Sequence, residues 1–132
     1  MIEQFPPYEL ALELKQLGFD EPCFGYYHED MSISFTGIFG QNTNSFWLPS
    51  PNKIFSVPMY SQAFRWFRDE HKLYAVIEGS KKDRFKWVIN TDSFLYMKPS
   101  KNFEIYEEAE LACLKKLIEI VKSKQNEQEP QD

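Results

Sequence analysis

The stretch Tyr106-Glu-Glu-Ala-Glu-Leu-Ala-Cys-Leu-Lys-Lys-Leu-Ile-Glu-Ile-Val121 constrains this chain most. Tyr106, Ala109, Cys113, Leu117, Ile120 and Val121 recur at helical spacing, so they form one apolar stripe. Leu111, Leu114 and Ile118 widen that stripe sideways to an arc of roughly 200°. Glu107 and Glu108 suit the positive end of the helix dipole, and Lys122 and Lys124 the negative end. A helix this broad on its apolar side has more to bury than one sheet face takes. The excess requires a second contact, within the chain or with a partner.

The other segments supply what such a helix could pack on. Arg84 to Asn90 alternates cleanly, with Phe85, Trp87 and Ile89 on one face and Arg84, Lys86 and Asn90 on the other. Leu73 to Glu78 precedes it across the turn Gly79-Ser-Lys-Lys-Asp83, and Phe94 to Met97 follows, giving three antiparallel strands. Phe103 to Ile105 is a candidate extension of that sheet. A helix over Tyr60 to Lys72 carries Tyr60, Ala63, Phe64, Phe67 and His71 on one face, with Trp66 roughly 120° from its centre. A shorter helix, Tyr8 to Leu17, begins after Pro6-Pro7 and stops at Gly18. Between these lie short strand-like runs: Cys23 to Tyr27; Met31, Ile33 and Phe35; Phe46 to Leu48; and Ile54, Phe55 and Val57. Ser123 to Asp132 has no apolar residue and is expected to be a disordered polar tail.

The expected fold is therefore α+β. An antiparallel sheet of about three to five strands packs on two main helices, with a short N-terminal helix. Residues 1–122 form a single domain, as the length of 132 residues suggests. The N-terminal helix and the strands of residues 28–58 are expected to add to an edge of that sheet or to cover the last helix.

Composition narrows the function classes. No run of eighteen apolar residues exists, and the N-terminus lacks the basic and apolar regions of a signal peptide, so the chain reads as cytoplasmic with no membrane span. Cys23 and Cys113 fit two buried thiols in a reducing compartment; a disulfide between them requires the fold to bring them together. The formal net charge of −5 is uneven. Residues 60–101 carry nine Lys and Arg against five acids, whereas both flanking regions are acidic. Lys81, Lys82, Arg84 and Lys86 concentrate that basic charge on one hairpin, where it balances the acidic ends or meets an anionic partner.

No P-loop, GxSxG, HExxH or GxGxxG motif is present, so the residues specify no catalytic set, no cofactor and no metal. Cys23 and His28-Glu29-Asp30 are metal-capable, but their spacing completes no tetrahedral set, and a charged turn explains them. His71 reads as a helix-end histidine and Glu110 as a carboxylate at the rim of the apolar arc. Helix, three strands, helix over residues 60–122 is the element order of a double-stranded-RNA-binding domain. That module needs a basic start to its last helix, where this chain has Glu107, Glu108 and Glu110.

Aromatic residues make up 17% of the chain, more than a core of this size holds easily, which directs attention to surface rings. Trp66 beside Arg65 has the composition of a binding hot spot; packing under the 28–58 segment is the alternative. Phe46 and Trp47 carry the same ambiguity. The resulting expectation is a small non-enzymatic protein that binds another protein through Trp66, Arg65, Leu111, Leu114 and Ile118. Homodimerisation through the last helix is a variant of it. The alternative is a nucleic-acid-associated protein using the basic hairpin.

Three segments carry a resemblance: Leu17-Gly-Phe-Asp-Glu-Pro-Cys-Phe-Gly-Tyr-Tyr27, Pro58-Met-Tyr-Ser-Gln-Ala-Phe-Arg-Trp-Phe-Arg68 and Tyr106 to Glu119. Across most of residues 8–122 the chain resembles a group of small uncharacterised proteins encoded by phages and mobile elements of gut-type bacteria. The group implies an accessory role and no activity. Its members often place Thr before the second helix and Ser or Thr before the last one. Met59 and Ile105 stand at those positions here, which weakens each cap by ~1 kcal/mol.

Overall fold

The computed structural model describes residues 2–35, 55–82, 84–93, 96–97 and 102–128. Its elements are a single 3-10 turn (Ile2–Gln4), α1 (Tyr8–Gln16), β1 (Gly25–Tyr27), β2 (Ile33–Phe35), β3 (Phe55–Val57), α2 (Tyr60–His71), β4 (Leu73–Ser80), β5 (Arg84–Thr91), β6 (Tyr96–Met97) and α3 (Tyr106–Gln128). The chain is α+β, as expected, and divides into two compact units, residues 1–61 and 62–132. No helix among the described residues is long and apolar enough to cross a membrane.

The first unit is organised by a three-stranded antiparallel sheet of order β2-β1-β3. β1, β2 and β3 form a sheet of their own, and among the described residues β2 and β3 do not pair with the 73–97 sheet, so the first of the two placements expected for residues 28–58 is not seen there. Three residues per strand is too little for side-chain alternation to specify a pairing partner. α1 packs on β3, and Phe5, Ala11, Tyr27 and Val57 make the shared core. Tyr27 is anchored at both ends of its ring. Its hydroxyl donates to the Pro6 carbonyl at 2.7 Å, and Tyr8 meets its face edge-on at 5.5 Å. α1 ends at Gly18, whose φ of +102° is a conformation that a Cβ resists. There the Gly18 and Phe19 N–H groups donate back to the Lys15 and Leu14 carbonyls, closing a Schellman motif.

The second unit is built on the sheet β4-β5-β6, again antiparallel. β4 and β5 pair over eight residues, from Leu73 opposite Thr91 to Ser80 opposite Arg84. This register puts Leu73, Ala75 and Ile77 beside Ile89, Trp87 and Phe85 on one face, and α3 packs across both strands. Phe85 meets Tyr106 of α3 edge-on at 5.6 Å, which identifies that face as the helix side. α3 buries Ala109, Cys113, Leu114, Leu117, Ile118 and Val121, the 3.6-residue pattern expected of a core-facing helix. Tyr106, expected in the main stripe, is largely exposed instead. α2 hands over to β4 through Lys72 alone, held at φ 56° with its N–H on the Arg68 carbonyl.

α3 also runs to Gln128, so residues 123–128 are helical where a disordered tail was expected. Lys, Gln and Glu are strong helix formers, and a helix already fixed by packing extends through them without a new nucleus.

Candidate functional site

The residues expected to bind a partner are mostly inside the molecule. Trp66 is only 6% exposed, and its ring meets Phe67 at 5.0 Å and His71 at 4.9 Å, both edge-on. Leu114 and Ile118 are buried, Leu111 is half-buried and Arg65 is exposed. Leu114 and Ile118 are thus part of the core, which corrects the expectation that these two residues form a docking surface, while Leu111 stays half-buried. Phe46 and Trp47 lie outside the described residues.

The exposed large apolar side chains of the second unit fall in two places: Ile105 and Tyr106 at the start of α3, and Tyr74 and Val76 on the other side of the sheet. Tyr74 and Val76 of β4 face away from α3 and are 38% and 51% exposed. Val76 lies directly opposite Val88, which is buried, so whatever covers that face stops before β4. β4 is also a terminal strand: among the described residues it pairs with β5 only. Two polar contacts frame the patch. The Tyr74 hydroxyl donates to Asp92 at 3.0 Å, and Lys86 Nζ lies 3.6 Å from Glu78 Oε2.

That ion pair divides the basic set. Lys86 belongs to the outer sheet face, tied to Glu78. Lys81, Lys82 and Arg84 are exposed at the far end of the hairpin, and Lys81 and Arg84 line an open cleft of about 550 Å³ with Gly79, Ser80, Phe85 and Glu104. Arg84 closes the three-residue loop at φ 63°, the left-handed position that usually follows a turn of this length. The Phe85 ring lies close over Gly79, where a methyl group would sit 2.9 Å from two of its carbons. Phe85 and Phe103 exchange both backbone hydrogen bonds, at 2.9 and 2.7 Å, and this bridge brings Glu104 to the cleft. Glu104 was not singled out in the sequence, because that bridge joins positions eighteen residues apart that share no periodic pattern.

Electrostatic perturbation concentrates on the first turns of α3. Burial, and secondarily the charge of Glu107, pushes the Glu110 carboxyl up to about 7. Burial raises the Cys113 thiol to about 12, with Glu110 adding to it. Burial likewise raises Tyr106, helped by Glu110 and Glu107. His71 is shifted down by burial, so it stays neutral at physiological pH. Cys113 is a thiol and not a thiolate under these conditions, and therefore a poor nucleophile. Cys23 is also buried and free, with its Sγ donating to the Glu21 carbonyl. His28 pairs with Ser34 at 2.7 Å, and the Asp30 carboxylate accepts from the Ser32 N–H and hydroxyl, so the His28–Asp30 segment is a hydrogen-bonded turn. No group of three or more metal-capable side chains occurs among the described residues.

Comparison with protein-family models, with curated proteins and with solved structures gives no match.

Proposed function

We propose that this chain is a non-enzymatic accessory protein, of the kind carried by phages or mobile elements, that works by binding another protein. We place the contact at the β4 edge and not at Trp66 and α3. The observation that carries this reading is Val76, 51% exposed in the middle of an eight-residue terminal strand, with Tyr74 beside it. An edge strand offers unpaired backbone groups, and natural proteins usually blunt it with charge, proline or a covering element. An extended segment of a partner can add there as a further strand, with an apolar side chain placed beside Val76.

Val76→Lys tests the reading. A surface change of this kind costs at most about 1 kcal/mol of stability, yet it puts a charge where the partner's apolar group would sit. The wild-type chain should retain a nuclease-resistant protein partner from host lysate, and the Val76→Lys chain should lose it while keeping its thermal midpoint. Retention of that partner by the variant would exclude the β4 edge.

The nucleic-acid alternative keeps a specific observation in its favour: Lys81, Lys82 and Arg84 are exposed together. Three cations on a single strand would give a salt slope near roughly −2. Binding that is absent, or independent of salt, removes this alternative.

A further inference from the structure

The cleft at the end of the β4–β5 hairpin, lined by the closing pair Ser80 and Arg84 together with Gly79, Lys81, Phe85 and Glu104, has its own chemistry. It is an open surface cleft of about 550 Å³. Both signs of charge line it, with Lys81 and Arg84 against Glu104. Among the described residues none of these three side chains has an ion-pair or hydrogen-bond partner. Phe85, lying close over Gly79 and edge-on to Tyr106, supplies an apolar wall. Arg84 also holds a left-handed backbone, which costs a non-glycine residue roughly 1 kcal/mol.

Glu104 decides the ligand class. A phosphodiester chain brings only negative charge and is repelled by it. A ligand with one anionic and one cationic end satisfies all three side chains. We infer that this cleft binds a small zwitterion with an apolar body, of the amino-acid or short-peptide class. Its carboxylate meets Lys81 and Arg84, its ammonium meets Glu104, and its apolar part lies against Phe85.

The test is a titration of the full ¹⁵N-labelled chain followed by amide chemical shifts. The probes are the dipeptide leucyl-leucine, its N-acetyl and C-amide forms, inorganic phosphate and a twelve-residue oligothymidylate. The zwitterionic dipeptide should shift residues 79–81, 84, 85 and 104 and saturate. Each blocked form should bind about tenfold more weakly, the loss expected from one charged hydrogen bond. Glu104→Gln should erase the preference over the acetylated form, and Arg84→Gln the preference over the amide. Arg84→Gly should keep the fold, raise the unfolding midpoint and lose the dipeptide. The proposal is overturned if up to ~10 mM dipeptide leaves these amides unmoved. It is equally overturned if the acetylated dipeptide, phosphate or the oligonucleotide saturates the cleft as well as the zwitterion does.

Discussion

Replacing Glu110 by Gln should make the protein more stable, and only above acidic pH. Glu110 sits half-buried on α3, one turn from Tyr106 and beside Cys113, and its carboxyl is raised from 4.5 to about 7. Burial is the main cause and the Glu107 charge the lesser. The folded chain therefore holds a proton that the unfolded chain has already released. Below about pH 4.5 both states are protonated, and the site costs nothing. As pH rises from there through about 7, the folded state must ionise a desolvated group, and stability falls until both states are charged. At about 1.36 kcal/mol per unit, a displacement of this size sets a ceiling near 3 kcal/mol. The group is substantially exposed, and solvent screening lowers that to about 1–1.5 kcal/mol. Glutamine keeps the shape without the charge. Urea unfolding at pH 3.5, 5, 6.5 and 8 should thus show Glu110→Gln gaining about 1–1.5 kcal/mol over wild type at pH 8, roughly half of that at pH 5, and converging with it at pH 3.5. His71, lowered by burial, has the opposite sign: its contribution grows as pH rises through the unfolded value near 6.5. Both proteins share that contribution, so their difference isolates Glu110. A gain that does not shrink on acidification, or no gain at pH 8, would refute the assignment.

Three further substitutions or reactions follow from the packing. Trp66→Ala should cost about 3–5 kcal/mol by opening a cavity against Phe67 and His71; a urea midpoint within error of wild type would show that the ring is not core. Lys72→Gly should stabilise by about 0.5–1 kcal/mol, because the residue holds φ 56° and its ammonium makes only an exposed 3.3 Å bond to the Asp69 carbonyl; a lower denaturant midpoint would contradict this. Neither Cys23 nor Cys113 should react with an aromatic disulfide reagent at pH 8 until denaturant is added, when both should; rapid labelling of the native chain at Cys113 would show that the thiol is not buried.

Residues 84–90 and 106–121 were legible because their patterns are long. Phe85, Trp87 and Ile89 alternate over a whole strand, and Ala109, Cys113, Leu117 and Val121 repeat over four turns. Gly18 was legible for a different reason, since its role needs only a local backbone conformation. What escaped was non-local. Gly25–Tyr27, Ile33–Phe35 and Phe55–Val57 are each three residues long, and β1 and β3 pair across a long intervening segment, so nothing local announced a second sheet. Lys86 was grouped with Lys81, Lys82 and Arg84 by nearness in the sequence. Strand alternation turned it to Glu78 on the outer face. The candidate cleft depends on Glu104 reaching Phe85 through one backbone bridge, a contact no spacing rule encodes.

The surplus apolar surface of α3 first suggested a partner, and burial of Leu114 and Ile118 removes that motive. A weaker but independent motive replaces it. Exposed edge strands invite unwanted pairing, and a single lysine at Val76 would suppress this at little cost to the fold. The outer face already carries one such pair, Lys86 with Glu78, so charge is tolerated two residues away. If β4 has no partner, Val76→Lys should improve solubility and change nothing else. If β4 is a docking strand, the same substitution should improve solubility and abolish capture of the partner. Solubility thus reports that the edge is exposed, and capture reports that it is used, so measuring both on one variant separates a structural liability from a working surface.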